Sequence, residues 1–138
     1  MKLTREKIQL CSIQGRLFEL SANEGIDSAV FIDAFMQSGT AARLDLTYDR
    51  LQWSGEEYIL EELADELGML PTGTTWGNDE LFWTGYLYRL WHYTTGESSS
   101  EINRIANAAT MRACYPGYHT LDPEMAIERL REAAGISM

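Results

Sequence analysis

"GYLYRLWHYTTGESSSEI", residues 85–102, crowds Tyr86, Tyr88, Arg89, Trp91, His92 and Tyr93 into eight positions, then meets a glycine and a run of serines. At 3.6 residues per turn, Leu81, Gly85, Tyr88 and His92 share one side of a helix, and Phe82, Tyr86, Arg89 and Tyr93 share the next. Trp83, Leu87, Leu90 and Trp91 fill the remaining surface. A helix that is apolar on every side is enclosed by other elements. The pattern therefore predicts a core helix that starts at Asn78 and ends near Thr95. The fold class that follows is mainly α: a compact helical domain of about six helices around a central aromatic helix.

Arg89 and His92 complicate this reading, because an isolated buried charge costs on the order of several kcal/mol. An internal acidic partner such as Asp79, Glu101 or Asp122 would satisfy them. So would a cleft that admits a carboxylate or phosphate from outside. Aromatic stripes at helical spacing are core far more often than ligand boxes, which favours the internal partner. The alternative names Tyr86, Arg89, His92, Tyr118 and His119 as the candidate ligand- or partner-binding residues. It rests on two segments that each pair histidine with tyrosine and that would converge if the last helix packs on the aromatic one.

Working outward, Ser98 and Glu101 form a capping box for the next helix, and a further helical turn runs through Met111 to Tyr115 before Pro116 and Gly117 break it. Asp122 caps the last helix, with Pro123 in its first turn and Met125, Ile127 and Leu130 as its apolar side chains. On the other side, Leu10, Ile13, Leu17 and Leu20 mark a first helix over residues 4–23. Gly25 ends it, and Asp27 caps a second helix whose buried face is Val30, Phe31, Ala34 and Phe35, closed by residues 38–40. Ser54 and Glu57 read as another capping box, opening a helix that Gly68 closes. Residues 41–53 suit a short helix followed by an extended piece, which leaves one short strand pair open. "GMLPTGTTWGN", residues 68–78, reads as a connection between two halves, 1–70 and 76–138, of one domain spanning 1–138.

The bulk numbers narrow the function. A chain of 138 residues, 45% hydrophobic and 23% charged, is the size and composition of one globular domain. The 21 acidic and 11 basic residues leave a net charge of -10, which repels a phosphate backbone and argues against a broad nucleic-acid surface. No apolar run suggests a membrane span or a signal peptide, so the expected location is cytoplasmic and Cys11 and Cys114 are expected to be reduced thiols. Without a Cys-x-x-Cys pair, and with His92 and His119 far apart, no metal site and no cofactor are expected.

Enzyme signatures are thin. Cys114, His119 and Asp122 invite a thiol nucleophile, but no family context surrounds the cysteine. "HYTTGESSSE" resembles ADP-ribosyltransferase signatures only superficially, since those need strands where this stretch reads as a helix end and a new cap. Glycine-rich phosphate loops and nucleophile elbows are missing from the sequence.

"YDRLQWSGEEYILEELADELG", "GYLYRLWHYTTGESSSEI" and "YPGYHTLDPEMAIERL" carry a resemblance to small, acidic, helical bacterial proteins from toxin–antitoxin-like gene clusters, whose neighbours include toxins of ADP-ribosyltransferase type. The resemblance implies a non-catalytic antitoxin- or immunity-like protein that binds a toxin-like, basic protein partner. Complementary potential would speed that association. The competing expectation is a small-ligand binder or enzyme built on the Tyr/Arg/His residues named above.

Overall fold

In the computed structural model, which describes residues 3–136, two long helices cross almost backbone to backbone. They are α1 (Arg5–Asn23) and α5 (Asn78–Thr95). A Cβ added at Gly85 would lie 2.5 Å from the carbonyl oxygen of Gln14, and one added at Gly15 would lie 2.7 Å from the Phe82 ring. Glycine at both positions is what permits the approach. The Gln14 amide nitrogen then donates to the Gly85 carbonyl at 3.0 Å, a side-chain bond that ties the two helices together where they touch.

Six shorter helices surround this pair: α2 (Ser28–Met36), α3 (Gly39–Asp45), α4 (Glu56–Leu67), α6 (Ser99–Ile105), α7 (Ala108–Tyr118) and α8 (Pro123–Ala133). A single 3-10 turn, Arg50–Trp53, stands between α3 and α4. The helix α5 packs against α1, α6, α7 and α8, so it is the central element that its sequence predicts, with the predicted bounds. Its buried Leu81, Leu87, Tyr88, Leu90 and Trp91 share one core with Leu17 and Phe18 of α1, Phe31 and Phe35 of α2, and Ile127 and Leu130 of α8. The Phe18 ring meets Phe31, Phe35 and Tyr88 edge-on at 5.6, 5.7 and 6.3 Å, the arrangement favoured by aromatic quadrupoles. Trp91 is fully buried and its indole N–H donates to Glu97 at 2.7 Å, so truncating it would cost roughly 3–5 kcal/mol.

Local capping chemistry sets most of the helix starts. Thr4, Asp27, Ser38 and Asn107 each accept a hydrogen bond from the backbone three residues on, and Ser98 with Glu101 completes a reciprocal capping box. The N-terminus of α3 has a second, remote cap: Glu66 of α4 accepts from the amides of Gly39 and Thr40 at 2.7 and 2.8 Å and from the Thr40 hydroxyl at 2.7 Å. A carboxylate there also faces the positive end of the helix dipole.

The mainly α class holds, with two corrections. The described residues form eight α-helices rather than about six, because residues 39–45 supply one separately capped helix and residues 99–118 supply two, which the apolar pattern alone merges or shortens. The strand pair left open near residues 41–53 does not form, its place taken by α3 and the 3-10 turn, and among the described residues the β-pairing is one isolated bridge, Ile26 to Thr72. There the loop after α1 is laced to the connection before α5. Asp27 and Ser28 donate from their amides to the carbonyls of Pro71 and Thr74, while the Ser28 hydroxyl accepts from the Trp76 amide.

Smaller differences have local causes. The expected Ser54 box is not formed, because Gly55, at φ 82°, takes the cap position of α4 in a conformation open to glycine. On α2 the buried face is Phe31, Ile32, Phe35 and Met36, whereas Val30 is 41% exposed, since the helix is sandwiched between α1 and the α6–α7 pair. Met125 of α8 is likewise exposed. The helix α7 continues through Pro116 and Gly117 to Tyr118. The bond that Pro116 cannot make belongs to Arg112, an exposed residue where water can serve the carbonyl, and Tyr115 is anchored edge-on against Trp83 at 5.4 Å.

Candidate functional site: a buried arginine and two surface depressions

Arg89 is wholly enclosed, and its guanidinium is satisfied from inside. Its Nε donates to Gln14 Oε1 at 2.9 Å, Nη1 to Asp45 Oδ1 at 2.7 Å, and Nη2 to Ser99 Oγ at 3.2 Å. The internal acidic partner expected from sequence exists, but it is Asp45 at the end of α3 rather than Asp79, Glu101 or Asp122. Asp45 is shared: its carboxylate also accepts from the Ser99 amide at 2.8 Å and the Ser99 hydroxyl at 2.7 Å, at the start of α6. One ion pair thus joins α1, α3, α5 and α6. Its role is structural, because the guanidinium is fully buried and each of its three nitrogens donates to an acceptor on another element.

His92 stands at the outer edge of this network. Its Nδ1 lies 2.7 Å from the Glu97 carbonyl and 3.8 Å from Asp45 Oδ1. A carbonyl only accepts, so Nδ1 carries the proton and, in the neutral ring, Nε2 is an acceptor. The αL cap at Gly96, φ 80°, turns the chain back to place that carbonyl.

The other candidates take no part in the hydrogen bonds of Arg89. Tyr86 is half-buried and stacked on Phe82 at 5.9 Å, and burial pushes its hydroxyl pKa upward. Tyr118 packs against the core at the end of α7. His119 is exposed, donates from Nδ1 to the Tyr115 carbonyl at 2.7 Å, and stacks on the Tyr115 ring at 4.5 Å. The cleft that His92 lines includes none of Tyr86, Tyr118 and His119.

That cleft, of about 590 Å³, lies between the N-terminal turn of α1, the segment after α3 and the end of α5. Its distinctive walls are Lys7, Tyr48, Trp53, His92 and Tyr93. Tyr48 and Trp53 are 85% and 68% exposed, far more than the core requires of an aromatic side chain. The Lys7 ammonium sits 5.3 Å from the centre of the Tyr93 ring, within cation–π range.

A second depression, an open groove of about 540 Å³, runs between the end of α1 and α4. Leu20, Ile26, Leu60 and Leu70 give it an apolar lining, Met69 stands beside it 99% exposed, and Glu24, Glu57 and Glu61 edge it. The helix α4 carries six carboxylates and no cation. Glu56 pairs with Arg16, Glu62 faces Arg43, and Glu66 caps α3, whereas Glu57 and Glu61 are exposed one turn apart at the groove.

The candidates named from the sequence include neither the carboxylates of α4 nor Tyr48 and Trp53. The signal for the first was an uncompensated acidic helix, and for the second two aromatics beside a turn. Among the described residues, no three or more His, Cys, Asp or Glu side chains gather where they could hold a metal ion, and no helix is long and apolar enough to cross a membrane. Comparison with protein-family models, curated proteins and solved structures finds no match for this chain.

Proposed function

We propose that this chain is a non-catalytic interaction protein that receives a basic, amphipathic segment of a partner protein in the groove between α1 and α4. The observation that carries this reading is the combination of an apolar groove with Glu24, Glu57 and Glu61 at its edge. An amphipathic helix buries its apolar stripe in such a groove, and lysines or arginines flanking the stripe meet the glutamates. The net charge of -10 extends the same preference over longer range and favours fast encounter with a cationic partner. The resemblance to proteins encoded beside toxin genes makes a basic, toxin-like protein the partner of choice, with an immunity-like role in the cytoplasm.

The test is a titration with a synthetic amphipathic helix built of leucine and lysine, against a scrambled peptide of equal charge. The ordered peptide should bind, its affinity should fall steeply as salt rises, and Leu60→Asp or the pair Glu57→Lys and Glu61→Lys should each weaken it by tenfold or more, about 1.4 kcal/mol. Equal binding of the scrambled peptide, or indifference to both sets of changes, would overturn the proposal.

A further inference from the structure

The cleft beside His92 lies at the opposite end of α1 from the groove, since Lys7 and Glu24 are separated by about 25 Å of helical rise. It is a separate feature with its own chemistry. Two exposed aromatic faces, Tyr48 and Trp53, stand at a concave site where burial in the core does not account for them. A third, Tyr93, already has a cation over its ring, the ammonium of Lys7 from the first turn of α1. Glu6, a carboxylate-bearing residue, also lines the site. His92 adds Nε2, the ring nitrogen left for a ligand once Nδ1 is tied to Glu97, and in the neutral ring that atom accepts hydrogen bonds. Apart from Lys7, the charged and ring groups presented here suit a ligand that donates hydrogen bonds and carries positive charge.

We infer that this cleft binds a guanidinium cation, stacked between Trp53 and Tyr48 and donating to His92 Nε2 and Glu6, with Lys7 acting as a tethered competitor on the Tyr93 face. A guanidinium fits better than an ammonium because it is planar, weakly hydrated and rich in donors, so it stacks on an aromatic ring while keeping its N–H groups in the ring plane free for acceptors. Asp45 contributes less than its position suggests, since its charge is already matched by Arg89. The flexible stem of Lys7 lets its head leave the cleft without disturbing α1, whose first turn is held by the bond from the Lys7 backbone amide to Thr4. The guanidinium could be supplied by an arginine side chain of a protein partner or by a free small molecule. The recognition chemistry is the same for both.

The probe is N-acetyl-arginine amide, compared with N-acetyl-citrulline amide, which has nearly the same shape and no charge. Binding is read from the shift of the Trp53 indole N–H and the His92 ring signals in nuclear magnetic resonance titrations. The arginine derivative should saturate with an affinity about tenfold above the citrulline derivative, and Trp53→Ala should remove a similar factor. Lys7→Met should raise the affinity several-fold by vacating the Tyr93 face. Trp53 and Lys7 are exposed, so unchanged thermal melts would show that the variants keep the fold. Equal affinity for citrulline, no loss in Trp53→Ala, or weaker binding in Lys7→Met would each overturn the inference. A peptide with one central arginine that binds more tightly than the amide would identify a partner side chain as the source, and equal affinities would identify a free ligand. Because Leu60→Asp lies on the other depression, it should leave this titration unchanged, which separates failure here from failure of the groove.

Discussion

Arg89 and Asp45 lie 44 residues apart in the chain and 2.7 Å apart in space, with the guanidinium completely buried and the carboxylate nearly so. Removing one partner from such a pair leaves the other charge uncompensated, which costs about 3–5 kcal/mol, whereas removing both costs much less. Asp45→Ala should therefore destabilise strongly, and adding Arg89→Met to it should recover part of the loss. Urea denaturation of the two single variants and the double variant closes the cycle. An Asp45→Ala protein within about 1 kcal/mol of the parent would show that the ion pair is not holding these helices.

The α1–α5 crossing makes a sharper prediction, because two glycines of the same chain should respond in opposite directions to the same change. Gly85→Ala places a methyl group 2.5 Å from the Gln14 carbonyl, and the helices must separate to admit it, at a cost of about 1–3 kcal/mol. Gly117 of α7 has open space around its missing Cβ, so Gly117→Ala should be neutral or stabilising by roughly 0.4–1 kcal/mol. Thermal melts of both variants decide the matter. A Gly85→Ala protein that melts with the parent sinks the tight-crossing argument.

Acid should weaken the link between α4 and α3. The Thr40 hydroxyl and the amides of Gly39 and Thr40 hold the Glu66 carboxyl below its ordinary value of 4.5, with partial burial opposing them. Since the folded value is the lower one, Glu66 contributes stability fully above the ordinary value and loses it as pH falls through the folded value. Glu66→Gln should consequently be less stable than the parent near neutral pH, with the gap closing as the solution is acidified well below 4.5. Urea midpoints measured across that range would contradict the argument if the gap stayed constant.

What could be read from the sequence was what neighbouring residues decide. Asp27, Ser98 with Glu101, and Asp122 with Pro123 act as caps because a side chain and the amides it serves are within one turn. The bounds of α5 and its central position followed from apolar residues on every face. Long-range pairing escaped: that Arg89 was buried and paired could be anticipated, but the choice of Asp45 depends on how α3 is folded against the start of α6. The surface depressions escaped for the same reason. Glu24 joins Glu57 and Glu61 only because α1 lies along α4, and Lys7 reaches Tyr93 only because α1 and α5 run side by side.

The crossing of α1 on α5 also bears on the order in which the chain can become a protein. Gln14 and Gly85 are 71 residues apart, and α1 finds its most extensive partner only in a helix that ends at Thr95. During synthesis, the apolar stripe of the first helix therefore emerges long before anything can cover it. Until α5 is made, Leu10, Leu17 and Phe18 lack its cover, and exposed apolar surface of that kind makes an incompletely folded chain prone to aggregate. Such sequence-distant pairing is slow for a helical protein, because a large loop must close before the contact rewards it.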